Sequence, residues 1–162
     1  MEGAENMKPK FPIYMDLKDN TVGIVGGDEY AADAALLLKD FGAKITLISP
    51  TLCPRLEEMI KEGWIRHITR KYFRGDAANC YLCVAASGNK ETNIAISVEC
   101  KHRHIFVNVE EPSVYGTFEL PEMVTDEKLI GGFLSEDRET LKKFCDRLKE
   151  KLPSIWDEIK NS

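Results

Sequence analysis

Apolar and polar positions along this chain follow two periods in turn. Short runs at 21–25, 44–48, 64–69, 80–85 and 105–108 have the length and composition of strands, mainly apolar except for Arg66 and His67 in the third. Helical spacing lies between them. Residues 29–41 put Tyr30, Ala31, Ala34, Ala35, Leu38 and Phe41 on one face, and Gly42 supplies a stop. Pro54 opens a second helix closed by Gly63, with Leu56, Met59 and Ile60 turned inward. A third helix at 90–101 follows the loop Ser87-Gly-Asn. Strand and helix in repeated alternation, joined by short loops, predict an α/β fold: a Rossmann-like, doubly wound parallel sheet.

The pattern changes after residue 112. Residues 117–120 and 128–133 read as two strands joined through Thr125-Asp-Glu, an antiparallel pair. Ser135 is placed to cap a last helix with Glu136 and Asp137 in its first turn. The stripe of that helix is Leu141, Phe144, Cys145, Leu148 and Leu152. Pro153 predicts a break, with Ile155, Trp156 and Ile159 on a short second helix. The division expected is a sheet domain at 1–112 and a small strand-and-helix appendage at 113–162.

The 162 residues are 43% hydrophobic and 30% charged, which excludes wholesale disorder. A net charge of −5 argues against a general nucleic-acid binder. No apolar run is long enough to span a bilayer, and the polar residues 1–10 lack the apolar core of a secretion signal. The expected location is therefore the cytoplasm, with Cys53, Cys80, Cys83, Cys100 and Cys145 as reduced thiols. Cys80 and Cys83 have CxxC spacing. They lie in a run that reads as a strand, where side chains three apart face opposite ways, and no second pair completes a zinc site. No metal site is expected.

Residues 22–35 occupy the place of a dinucleotide-binding turn. Gly26 meets the need for a tight bend, and Ala31 the need for a small residue where helix and strand approach. The middle glycine position falls on Asp28, whose charge stands where a diphosphate rests on a helix N-terminus. Glu29 and Asp33 add two more acids, which also suit a helix N-terminus electrostatically. The second strand ends Ile48-Ser49-Pro50-Thr51, without the acid that commonly holds an adenosine ribose. The residues alone leave nucleotide binding open.

Several stretches in order carry a family resemblance: Phe11-Pro-Ile-Tyr-Met-Asp-Leu17, Ile24-Val-Gly-Gly27, Phe41-Gly-Ala-Lys-Ile-Thr46, Val84-Ala-Ala-Ser-Gly-Asn89 with Asn93, Ile105-Phe-Val-Asn-Val109 and Thr117-Phe-Glu-Leu-Pro121. Together they resemble the precorrin-2 dehydrogenase and sirohydrochlorin ferrochelatase family, which includes the N-terminal module of siroheme synthase. The resemblance implies NAD-dependent oxidation of precorrin-2 to sirohydrochlorin in a cytoplasmic homodimer. On it, residues 1–112 are an NAD-binding domain and 113–162 a dimerisation segment, shortened at its end. The same resemblance implies that Gly26, Gly27, Asp28, Glu29, Tyr30, Ser49, Pro50, Thr51, Ala86 and Ser87 hold the cofactor, with Glu111 where the family has a catalytic aspartate. It puts Asn108, Arg103 and His104 on the tetrapyrrole substrate. Departures are Asp28 for a third glycine, Asp33-Ala34 for an Arg-Lys pair, and Glu111 for Asp. They support an alternative, a non-catalytic or chelatase-only relative that binds a tetrapyrrole or nucleotide.

A polycarboxylate substrate calls for basic residues. Residues 64–74 carry Arg66, Arg70, Lys71 and Arg74 among aromatics, and Lys101-His-Arg-His104 is a second cluster. His102 and His104 are expected to alternate on a run entering a strand and so to share one face.

Overall fold

A computed structural model describes residues 10–127 and 129–161. The polar residues 1–9 and Lys128, the expected start of the second appendage strand, lie outside that range. The chain divides into two compact units, one spanning 14–120 and the other combining 121–161 with 10–13.

The larger unit is a five-stranded parallel sheet in the order β3-β2-β1-β4-β5. Its elements are β1 (Thr21–Val25), α1 (Glu29–Asp40), β2 (Lys44–Ile48), α2 (Pro54–Lys61), β3 (Ile65–Ile68), β4 (Leu82–Ala85), α3 (Lys90–His102) and β5 (Phe106–Val109). The chain winds outward from β1 to β3, then crosses back to lay β4 on the other side of β1. Both faces are covered over the central strands, which is why β1 and β4 read as near-continuous apolar runs, whereas the edge strand β3 carries Arg66 and His67. On one face Val22, Ile24, Leu47 and Val84 pack with Ala31, Ala34, Ala35 and Leu38 of α1 and Leu56 of α2. On the other, Val25, Ile48, Ala85, Val107 and Val109 pack with Ile96 and Cys100 of α3.

Three local expectations fail here, each for a physical reason. Residues 117–120 form a strap and not a strand. Thr117 donates its N–H to the Val107 carbonyl (2.7 Å), while its hydroxyl oxygen accepts from the Val107 N–H (2.8 Å). A side-chain oxygen standing in for a backbone carbonyl closes that pair of bonds without extending a ladder. These bonds also bring residues 113–120 into the larger unit. His102 and His104 do not alternate on a strand, because His102 ends α3 and His104 takes a left-handed turn at φ 57°. Cys80 precedes β4, so period-two alternation does not apply to it. Its sulfur and that of Cys83 both face Gly23, where an added Cβ would lie 2.7 and 3.6 Å from them. All five cysteines are free, and burial pushes the Cys80 thiol up to about 11.

The connection from β3 to β4 has no helix and is pinned by carboxylates. Asp76 accepts two bonds from Arg70 (2.7 and 2.8 Å) and one from the Phe73 N–H (2.8 Å). Buried Glu99 accepts from the Tyr72 hydroxyl (2.6 Å), the Gly75 N–H (2.9 Å) and Arg103 Nε (3.2 Å).

In the smaller unit, β6 (Glu122–Thr125) pairs antiparallel with β7 (Ile130–Phe133), and α4 (Arg138–Lys160) follows. Its core is Val124, Cys145 and Leu152. The helix is capped by Asp137, which accepts from the Thr140 N–H (3.0 Å), and not by Ser135. It runs unbroken through Pro153. Burial of Leu152 and a bond from Trp156 Nε1 to Asp126 (2.8 Å) hold the residues on either side of the proline against the hairpin. Phe144 lies at the margin of the stripe, 52% exposed and edge-on to Phe133. Among the described residues no helix is long and apolar enough to cross a membrane.

Two outcomes follow for stability. Pro153→Ala restores a backbone donor and removes a clash with the preceding turn, so it should stabilise α4 by about 1–3 kcal/mol. A lower thermal midpoint by circular dichroism would show that the proline is needed where it stands. The hydrogen bonds from Arg70 hold the Asp76 carboxyl below its usual range. A depressed carboxylate stabilises the fold above its unfolded value of about 4, and that contribution disappears as pH falls through the lower folded value. Asp76→Asn should therefore cost stability at pH 7, with the deficit shrinking below about pH 4 in denaturant titrations. A deficit independent of pH would remove this carboxylate from the explanation.

Candidate nucleotide site

In an open parallel sheet, ligands lie outside the carboxyl ends of the strands where the winding reverses. Here that point is the crevice between β1 and β4. Gly26 leaves β1 with φ 148°, and a Cβ there would land on the Ala86 carbonyl. A Cβ on Gly27 would land on the Thr51 carbonyl. Both glycines are demanded by the close approach of the loops that follow β2 and β4. The Cys53 N–H, donating to the Gly27 carbonyl at 2.7 Å, ties one of those loops across the turn.

Asp28 is the N-cap of α1, its Oδ1 accepting from the Ala31 N–H at 3.0 Å. Ala31 itself is fully buried against the sheet. Glu29 and Asp33 are both met by Arg55 in the first turn of α2, whose Nη1 lies 2.8 and 2.7 Å from their carboxylates. Arg55 is the residue that sequence reasoning missed. It lies 26 and 22 positions from its partners, and only the packing of α2 beside α1 brings them together.

At the end of β2, Ser49 is buried and its hydroxyl donates to the Thr51 carbonyl (2.7 Å). Its own carbonyl is in hydrogen-bond contact with His67 Nε2 at 2.9 Å. Pro50 and Thr51 are left exposed on the rim. After β4, Ala86 is buried and Ser87 is bonded to Asn93. Tyr30 and Asn108 meet: the tyrosine hydroxyl donates to Asn108 Oδ1 (2.8 Å), and Asn108 Nδ2 donates to the Phe118 carbonyl (3.3 Å). At 3% exposure, Asn108 is occupied inside the fold. Glu111 follows β5, its carboxylate exposed and 3.3 Å from Lys90 Nζ.

The expected residues therefore gather at one edge, with two exceptions. Arg103 and His104 precede β5 and so lie at the opposite end of the parallel sheet from the glycine turn and Glu111. Arg103 is paired with Glu99, and His104 lines a separate shallow pocket with Lys101, Ile105 and Phe106. In the other basic cluster, Arg70 is engaged by Asp76.

Dinucleotides bind where such contacts meet. A tight glycine turn, a small buried residue at the third position and a helix N-terminus beneath fit one. The Asp28 carboxylate is drawn onto the helix end, and Arg55 offsets the two further acids.

A family model described as "Putative NAD(P)-binding" matches residues 13–122, more than half of the chain. The chain belongs to this NAD(P)-binding family. The siroheme synthase of Methylobacillus flagellatus is 36% identical over 119 residues, covering 74% of this chain and 26% of that relative. The siroheme synthase of Thioalkalivibrio sulfidiphilus is 35% identical over 115 residues, covering 70% and 23%. The chain thus spans about a quarter of the length of the curated relatives it matches. A solved structure titled SirC, precorrin-2 dehydrogenase, shares the fold at TM-score 0.66 and 24% identity, over 90% of this chain and 70% of that one. The Rossmann-like architecture expected from the sequence is shown by that likeness and by the sheet itself.

Charge at the turn gives a paired test by calorimetry with NAD. Asp28→Ser keeps a capping oxygen and removes a charge, so it should tighten binding roughly two- to five-fold. Arg55→Ala strips the counter-charge and should weaken it by a similar factor. Weaker binding in both variants would mean that Asp28 contacts the nucleotide directly.

Proposed function

We propose that this chain oxidises precorrin-2 to sirohydrochlorin with NAD, in siroheme biosynthesis. The observation that carries the reading is the placement of an exposed carboxylate, Glu111, at the same sheet edge as the glycine turn, in a chain related to siroheme synthases. The backbone of residues 26–28 at the start of α1 would hold the cofactor, together with Pro50, Thr51 and Ser87 on the flanking loops. The chemistry NAD supplies when bound is acceptance of a hydride.

This chain's own part is to position the ring and move a proton. Dehydrogenation releases a proton with the hydride, and a carboxylate oxygen of Glu111 accepts it. Lys90 lies beside that carboxylate and offers a cation to the substrate's own carboxylates. Arg103 and His104 have no part in this arrangement, and Asn108 acts by holding Tyr30 in place. The substrate is a tetrapyrrole, and neither a nucleic acid nor a membrane is a partner. The protein works in the cytoplasm as a homodimer. Support for the dimer is the exposed apolar surface of the smaller unit, where Phe144 is 52% and Ile130 51% accessible.

The test is anaerobic turnover of precorrin-2, followed by absorbance of the reduced nicotinamide. Wild type should turn over, and Glu111→Gln should lower kcat by about 100-fold or more. Turnover unaltered by that substitution would remove Glu111 from the proton transfer, and a wild type with none would sink the reading.

A further inference from the structure

Asn93 lies in the first turns of α3 at 1% exposure, and its amide joins two loops. Oδ1 accepts from the Ser87 N–H (3.0 Å) and the Ser87 hydroxyl (2.7 Å). Nδ2 donates to the Glu111 carbonyl (2.9 Å). The partners fix the orientation of the amide, because a backbone N–H only donates and a carbonyl only accepts. Asparagine is a poor helix former, and a buried amide costs stability unless it is bonded. An apolar side chain would suit this face of the helix, so these three bonds are the physical reason for asparagine here.

We propose that Asn93 is a positioning residue that holds the nucleotide-side loop, 86–89, and the base-side loop, 110–112, in one register. The inference rests on the assignment of Glu111 as base and goes beyond it, since Asn93 acts only through Ser87 and the Glu111 backbone. The other tie from α3, Lys90 to the Glu111 carboxylate, joins two exposed groups and is screened by salt. The bond from the Asn93 amide to the Glu111 carbonyl is part-buried and less open to screening. It therefore acts on the Glu111 backbone, while Lys90 affects only the side chain.

Asn93→Asp separates the two arms in the full-length chain. An aspartate keeps both acceptor bonds to Ser87 and turns an acceptor toward the Glu111 carbonyl. Amide hydrogen exchange of the unliganded protein should rise about tenfold or more at Glu110, whose N–H is bonded to the Ala85 carbonyl, with Ser87 still protected. In Asn93→Ala, exchange at both loops should rise together. With NAD and precorrin-2, Asn93→Asp should lose roughly 10- to 100-fold in kcat, with NAD affinity and KM changed less than about threefold. Unchanged exchange at Glu110, or a uniform rise across the sheet with a matching loss of thermal stability, would overturn the proposal. So would equal losses in kcat and NAD affinity. If wild type shows no turnover, the proposed reaction falls, and the exchange pattern by itself decides for or against the coupling of the loops.

Discussion

The candidate site hangs from a row of four main-chain hydrogen bonds across the carboxyl edge of the sheet. The residue after each strand donates to the last residue of its neighbour: Glu110 to Ala85, Ala86 to Val25, Gly26 to Ile48 and Ser49 to Ile68. All four point the same way, from β5 toward β3. Each carries the parallel ladder one residue into the loops, so the loops leave the sheet from a common level. The glycine turn, the buried Ser49 and the backbone leading to Glu111 owe their positions to this row, and side-chain ties such as Asn93 act on loops already aligned by it. The glycines follow from it too, because loops brought so close leave no space for a Cβ at Gly26 or Gly27.

What the sequence made legible was the part governed by local rules. Apolar runs and helical stripes were enough for the five parallel strands and three covering helices, because a sheet buried on both faces has little freedom in composition. The acids at 28, 29 and 33 were legible as suited to a helix N-terminus, but the cap made by Asp28 was seen only in the structure. The failures have two causes. Thr117 uses a hydroxyl where a strand would use a carbonyl, and Pro153 is overridden by burial of the side chains around it, so in both a tertiary contact outweighed a local preference. His104 instead takes the local turn just past a helix end.

Arg55 marks the limit of local reading most clearly. From the sequence, Asp28, Glu29 and Asp33 make a turn hostile to an anion. In the folded chain one guanidinium from the next helix bridges two of the three, and the third accepts from the Ala31 N–H. Nothing in the spacing of Arg55 announces this. The helices α1 and α2 lie side by side because β1 and β2 are adjacent, so the charge pattern of the turn is a property of the winding order.

The strap at Thr117 has a further consequence for self-association. An edge strand with open N–H and C=O groups is a template for another chain. Both outward-facing groups of Val107, in the middle of β5, are already taken by Thr117. The other edge, β3, is only four residues long. The sheet is therefore sealed on one margin and short on the other, and copies of this chain cannot readily join by extending it.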